Sequence, residues 1–310
     1  MIATVTLNPS VDQFFEVHDL GKKDVCRAVA IRRVPAGKGI NVSKFLLKLG
    51  ARTRAYVLLG GAVGNEYARL AAEEKLPLEI CPVRGDTRIN VIINDLESGR
   101  EIRVLAPGPR VAGADSRSLE KKVLGARREF FALVLSGSLP PGLRPGTYAE
   151  WVRRFRKAGV RCLLDAEGEA LRQGVRALPW AIKPNQFEME DLSRRRLRTE
   201  KKLLHAALSL VEGGIEMVAV SVERRGVLVA SRTEQPFFVR PPHVRVRSRV
   251  GAGDALVAGL VRGLERGMPL AEAARLGTAV SSAAVAGIER SFRQEVRRLA
   301  GGSKVEWVNA

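Results

Sequence analysis

The chain has 310 residues, 45% of them hydrophobic and 27% charged, with a formal charge of +19. That balance is globular rather than disordered, and the length suits one large α/β domain, with or without a small appendage, or two domains. No apolar run reaches transmembrane length and the N-terminus lacks a secretory pattern; three scattered cysteines without a CxxC pair offer no zinc site and read as reduced thiols of a cytoplasmic protein.

The excess charge is mostly arginine, spread along the chain at Arg32-Arg33, Arg127-Arg128, Arg153-Arg154, Arg194-Arg195-Arg196 and Arg297-Arg298. There is no basic tail, and only 5% of residues are aromatic and able to stack on bases. A solvated surface explains the arginines better than nucleic-acid binding does, and anionic substrates are compatible with it.

Residues 2–7 form a β-rich run closed by Asn8-Pro9-Ser10. Asp12 follows that turn; it suits the binding of two sugar hydroxyls, or is an ordinary turn aspartate. Residues 14–17 and 25–34 read as further strands. Arg27 there, and Arg88 later, are either phosphate clamps or solvated arginines. Residues 35–41 are glycine-rich and read as a turn. A helix follows, with Val42, Phe45, Leu46 and Leu49 on one face and Gly50 at its end. Gly37, Lys38 and Asn41 are then either a polar cradle for sugar and phosphate or a capped helix start. Neither a Walker loop nor a dinucleotide GxGxxG occurs.

Residues 55–59 read as a strand and 65–74 as a helix. Residues 89–94 and 101–105 read as a hairpin around Glu97-Ser98-Gly99. From about residue 118 to 222 strands alternate with helices, which indicates βαβ units and a parallel sheet covered on both faces. The pattern implies an α/β fold with a doubly wound, mostly parallel sheet flanked by helices. The whole of 1–310 reads as a single domain. Strands at about 12–34 and 88–106 break the rhythm and form a small separate β-sheet.

Ligands in such folds sit beyond the carboxyl ends of the strands. Ser136-Gly137-Ser138, Asp165, Lys183-Pro184-Asn185 and Ser221 all fall just after expected strands. Asn185 and Glu188 are spaced for a capping box, and also for holding magnesium through water. The last third is nearly all helix. It opens on Val250-Gly251-Ala252-Gly253-Asp254, where glycines allow an anion close to a helix N-terminus and the aspartate is either an N-cap or a proton acceptor.

These motifs, taken in order, resemble those of the ribokinase-like sugar kinases of the phosphofructokinase-B family. They are Thr6-Leu7-Asn8-Pro9-Ser10-Val11-Asp12, Ala36-Gly37-Lys38-Gly39-Ile40-Asn41-Val42, Thr87-Arg88-Ile89-Asn90-Val91, Pro107-Gly108-Pro109, Ser136-Gly137-Ser138-Leu139-Pro140, Lys183-Pro184-Asn185 with Glu188, and the stretch ending at Asp254. The resemblance runs from residue 1 to about 287 and is strongest to the branch holding 1-phosphofructokinase and tagatose-6-phosphate kinase.

The resemblance implies an ATP- and Mg²⁺-dependent kinase of a phosphorylated ketohexose: fructose 1-phosphate first, tagatose 6-phosphate or fructose 6-phosphate as alternatives. Asp254 would be the catalytic base, and Gly251, Ala252 and Gly253 would form the anion hole. Asp12, Gly37, Lys38, Asn41 and Ser138 would hold the sugar, with Arg27, Arg88 and Lys38 on its phosphate. Lys183, Asn185, Glu188, Ser221 and Gly226 would serve the nucleotide and magnesium. The small sheet would be a lid, shared across a homodimer. Four departures fall on the nucleotide side. Glu223 replaces a glycine in Ser221-Val222-Glu223-Arg224-Arg225-Gly226. Arg249 replaces a small residue, and Ala166-Glu167 a serine pair. Val285-Ala286-Gly287-Ile288-Glu289-Arg290 matches the adenine and potassium segment poorly. They leave potassium activation doubtful, and they motivate a rival reading as a sugar-phosphate-binding regulator with little kinase activity.

Overall fold

Every residue of the first strand, β1 (Ile2–Thr6), is buried. That is the mark of a strand covered on both faces. Its neighbours place Ala3 and Val5 in one apolar layer and Ile2 in the other, as the two-residue period of a strand requires. Its polar Thr4 is satisfied inside the protein, 2.8 Å from the Ser43 hydroxyl.

The computed structural model describes residues 1–20 and 25–308. Residues 21–24, within the first expected lid insertion, and residues 309–310 lie outside the described residues. In chain order the next elements are β2 (Ser10–Val17), β3 (Ala28–Ala36), α1 (Lys38–Lys48), β4 (Thr53–Leu59), α2 (Gly61–Glu73), β5 (Leu78–Pro82), β6 (Arg88–Asp95), β7 (Glu101–Val104) and α3 (Gly113–Gly125). There follow β8 (Ala132–Ser136), α4 (Thr147–Lys157), β9 (Cys162–Asp165), α5 (Gly168–Val175), β10 (Ala181–Ile182), α6 (Gln186–Ser193), α7 (Glu200–Glu212) and β11 (Met217–Val222). The chain ends with β12 (Gly226–Ser231), β13 (Phe237–Arg240), α8 (Ala252–Glu265), α9 (Leu270–Val285), α10 (Phe292–Gly302) and β14 (Lys304–Trp307).

Ten strands make one sheet in the order β14-β13-β12-β11-β10-β9-β8-β1-β4-β5. From β11 to β5 every pairing is parallel, and β12, β13 and β14 add antiparallel at the edge. Helices cover both faces. One layer includes Trp151, Phe155 and Leu203, and the other is built largely on α8 and α9. Those two helices touch backbone to backbone, because a methyl on Gly259 would come within 2.7 Å of the Gly277 Cα. Among the described residues no helix is long and apolar enough to cross a membrane.

A second sheet has the order β3-β2-β6-β7. Its central pair is parallel, with Ser10 opposite Arg88 and Asp12 opposite Asn90, while β3 and β7 flank it antiparallel. The structure bears out the doubly wound sheet with a small extra sheet and differs in detail. The glycine-rich residues 35–41 are not one turn: β3 runs through Pro35 and Ala36, and α1 starts at Lys38. Gly37 makes this possible at φ 133, a backbone conformation open to glycine. The sequence reading lacks β5 and β14, each short and without clear alternation.

Candidate active site

Strand β9 is an apolar run that ends on a carboxylate, and the sheet holds that carboxylate almost dry: Asp165 is 1% exposed. Two lysines meet it. Lys38, from the first turn of α1, and Lys183, just past β10, each place Nζ 3.5 Å from Asp165 Oδ1. The Asp165 charge raises the Lys38 pKa above the ordinary lysine range despite burial, with Glu188 and Asp254 adding to it. Lys38 is therefore a permanent cation at the sheet's carboxyl edge.

Facing it is the start of α8. Gly251 is the N-cap in the left-handed region, φ 73, and lets the chain turn into the helix without a Cβ penalty. The N–H groups of a first helical turn lack internal partners and carry partial positive charge. Asp254 stands in that turn, 5% exposed. Asn41 Nδ2 donates to its Oδ2 at 2.8 Å, which ties the start of α1 to the start of α8. Burial, reinforced by the Asp165 charge, pushes the Asp254 carboxyl up to about 7; the Asn41 bond and the two lysines pull the other way. A carboxyl titrating near neutrality is tuned for proton abstraction. Lys183 also borders the helix start, since a methyl on Gly253 would lie 3.4 Å from its Nζ.

A second polar group stands where the central strands of the small sheet, β2 and β6, begin. Asp12 Oδ1 accepts from the Ser10 hydroxyl at 2.7 Å and from Asn90 Nδ2 at 2.8 Å. Arg88 donates Nη1 to the Ala106 carbonyl at 2.8 Å and Nη2 to the Asn8 carbonyl at 2.9 Å. Burial lowers the Arg88 pKa from its ordinary value, and Asp12 opposes that shift. Arg88, Asn8 and Ser138 line a cavity of about 580 Å³, within the size range of small-ligand sites. Asn8 Oδ1, Arg88 Nε and Ser136 Oγ are buried here without a hydrogen-bond partner among the described residues. Buried polar atoms are normally satisfied, so this edge suits a polar ligand.

Arg27 is not brought to this group. Strand register sets Ala28 opposite Val17, and Val34 opposite Asp12. The exposed Arg27 therefore sits on the order of 20 Å along the lid from Asp12 in the same protomer.

At the start of α6 the expected capping box forms. Asn185 Oδ1 accepts from the Glu188 N–H at 2.9 Å, and Glu188 Oε2 accepts from the Asn185 N–H at 2.7 Å. Burial raises the Glu188 carboxyl pKa, while Lys183 holds it down. Among the described residues no group of three or more His, Cys, Asp or Glu is arranged to hold a metal directly. That donor set fits an ion such as magnesium, which keeps much of its water and leans on phosphates. Ser221 lies near the end of β11, bridged to Asn185, and its N–H bonds the Pro184 carbonyl at 3.0 Å. Gly226, at φ 100, is required by β13: a methyl there would lie 2.0 Å from the Val239 carbonyl oxygen. Its place in the motif has a packing cause as well as any nucleotide role.

Two of the departures in sequence prove to be partners. The Arg249 guanidinium forms an ion pair with Glu223. The carboxylate that stands where the family has glycine is thus neutralised by the arginine that stands where the family has a small residue. Arg225 turns away and donates to Gln186 Oε1 at 3.1 Å. Sequence reasoning noted Asp165 only as a strand-end residue and missed its role as the shared counterion. The signal for it was Cys162-Leu163-Leu164-Asp165, an apolar strand ending in an acid. Asn90 and Asn8, which orient Asp12 and border the cavity, carried no separate signal beyond their motifs.

Proton removal from an alcohol beside a cationic anion hole is the chemistry of phosphoryl transfer, so the class is a small-molecule kinase. The family model described as pfkB family carbohydrate kinase matches residues 5–291, and the chain belongs to that family. It is 33% identical over 305 residues to a 1-phosphofructokinase of Bacillus subtilis, covering 98% of this chain and 99% of that one. It also superposes on the tetrameric inhibited form of phosphofructokinase-2 from Escherichia coli, with a TM-score of 0.91, 31% identity, and 97% and 98% of the two chains covered. The same Escherichia coli enzyme in complex with fructose-6-phosphate gives a TM-score of 0.89 at the same identity and coverage.

Proposed function

We propose that this chain transfers the γ-phosphoryl group of ATP to fructose 1-phosphate, giving fructose 1,6-bisphosphate. The observation that carries this reading is Asp254: buried at the head of α8, pushed up to about 7 and bonded to Asn41. The fructose 1-phosphate assignment draws on the Bacillus subtilis relative. Fructose 6-phosphate, bound by the Escherichia coli structure, is the nearest alternative, and tagatose 6-phosphate the next.

Asp12, Asn41 and Gly37 hold the sugar, and Ser138 closes the cavity beside them. Arg88 and Lys38 face the phosphate already on the substrate. Asp254 accepts the proton of the free primary hydroxyl, whose oxygen attacks the γ-phosphorus in line. The backbone of Gly251, Ala252 and Gly253, with Lys183, meets the charge that develops on the transferring group. Asp165 fixes both lysines and keeps Lys38 charged. Asn185 and Glu188 would hold magnesium through water, and that ion draws charge from the phosphate oxygens when bound. Ser221 and Gly226 frame the nucleotide side.

The lid face supports a homodimer. Val29 and Ile31 on β3 are 59% and 62% exposed, and Val104 at the end of β7 and Leu105 just past it are similarly open. Pairing through this face buries that apolar surface. It also carries Arg27 toward a partner's site instead of its own. The proposed location is the cytoplasm, which suits the free thiols of Cys26, Cys81 and Cys162. No role is proposed for potassium. The Glu223–Arg249 pair removes the uncompensated carboxylate that motivated a binding-only regulator.

The test is ADP release measured with fructose 1-phosphate, fructose 6-phosphate and tagatose 6-phosphate in parallel. The proposal expects the highest kcat/KM on fructose 1-phosphate. A higher value on another ketose phosphate reassigns the substrate, and no turnover on any of them refutes the kinase.

A further inference from the structure

The basic run Arg194-Arg195-Arg196, with Lys202 and His205 after it, has no part in the chemistry above. It borders a cavity of about 780 Å³ between α6 and α7. Met189, Leu192 and Leu210 supply the apolar wall, while Arg195, Lys202 and His205 stand at the rim. Some arginines elsewhere are neutralised, as Arg154 is by Glu120, Arg172 by Asp191 and Arg240 by Glu200, and many others stand in solvent, so what sets this group apart is its place around an apolar cavity. At this cavity Arg196 meets Glu190 at 3.5 Å. The side chains of Arg195, Lys202 and His205 have no hydrogen-bond or ion-pair partner among the described residues.

We propose that the α6–α7 cavity is a second ligand site, for a small anion with an aliphatic body and a phosphate or carboxylate head. The volume lies in the range of small-ligand pockets, which are mostly apolar with a few placed polar groups. Arg195 and Lys202, the permanent cations at the rim, fix the sign of the head group. No Phe, Tyr or Trp lines the cavity, and its apolar wall is aliphatic and thioether side chains. An aliphatic chain buries apolar area against leucine and methionine. The site is separate from the catalytic edge, although α6 is the helix whose first turn carries Glu188.

Calorimetry on the whole chain tests this with octyl phosphate below its micelle concentration. Inorganic phosphate and octyltrimethylammonium serve as controls for the head and the tail. The expected result is one site per chain that binds octyl phosphate at least about tenfold more tightly than either control. The double substitution Arg195→Glu with Lys202→Glu should weaken it by at least about tenfold. Ala206→Trp, which fills the cavity without changing charge, should do the same. Kinase turnover in both variants checks that they are folded, since none of these residues touches the catalytic edge. Unchanged binding in the two variants, equal binding of the cationic amphiphile, or no heat overturns the proposal. So does binding confined to vesicles of phosphatidylglycerol, because the source would then be a membrane surface.

Discussion

Replacing Asp254 by Asn keeps the shape of the side chain and an oxygen for the Asn41 bond, and removes the charge. In the folded protein burial lifts this carboxyl from its ordinary 3.8 to about 7. Below about pH 4 both folded and unfolded chains hold the proton. Between about 4 and 7 the unfolded chain releases it and the folded chain keeps it, so this group makes stability fall as pH rises through that window. Above 7 the penalty is complete. Three units at about 1.4 kcal/mol each give about 4 kcal/mol at pH 8, and about 2 kcal/mol at pH 5. The attraction of Lys38 and Lys183 is already contained in that net shift. Asp254→Asn should therefore be the more stable protein, by roughly 5–10 °C in Tm at pH 8 and by about half that at pH 5. Thermal melts of both proteins at the two pH values read this directly. An Asn variant that melts lower, or a gain that does not change with pH, would refute the electrostatic account of the site.

Other consequences follow from the same geometry. With native enzyme kcat/KM should rise with pH and level off above about 7, as Asp254 loses its proton; a pH-rate profile with no inflection between about 6 and 8 counts against Asp254 as base. Asp165→Asn takes away the charge shared by Lys38 and Lys183. It should cost about 10–100-fold in kcat and lower Tm, because the two lysines lose their buried counterion, and stopped-time assays beside melts separate the two effects. Arg88→Ala should raise KM for the sugar phosphate by about 10–100-fold with a much smaller change in kcat. Glu223→Gly breaks an exposed ion pair, so it should leave stability within about 1 kcal/mol. It should lower KM for ATP, because Arg249 becomes available to phosphate; an unchanged KM would place Arg249 away from the nucleotide.

The parallel sheet was legible because β1, β8, β9 and β11 are short apolar runs separated by helical periodicity, and that pattern has few other solutions. The lid hairpin was legible from Glu97-Ser98-Gly99, a turn signal between two strands of the right length. Strands β5 and β14 were not, because sheet-edge strands with half-buried faces show neither a continuous apolar run nor clean alternation. The start of α1 was misplaced because proline and glycines normally punctuate, whereas here β3 absorbs the proline and a single glycine makes the bend. Within the site, Asp254, Lys38 and Asn41 were found from helix-start motifs. The meeting of Asn41 and Asp254 at 2.8 Å across a gap of more than two hundred residues is a product of the fold and cannot be read from spacing. The same holds for Asp165 as the shared counterion, and for Glu223 with Arg249. Each of those departures looks damaging alone, and only their pairing in space shows that they offset each other.

The most direct measurement is single-turnover formation of fructose 1,6-bisphosphate from ATP and fructose 1-phosphate by native enzyme and by Asp254→Asn side by side, with sugar-phosphate binding measured on both. The account predicts bisphosphate from the native chain and a rate lower by about 10³-fold or more in the variant, with the sugar-phosphate Kd changed by less than about threefold. Equal rates in the two proteins, or a variant that fails only because it no longer binds the sugar phosphate, would contradict it.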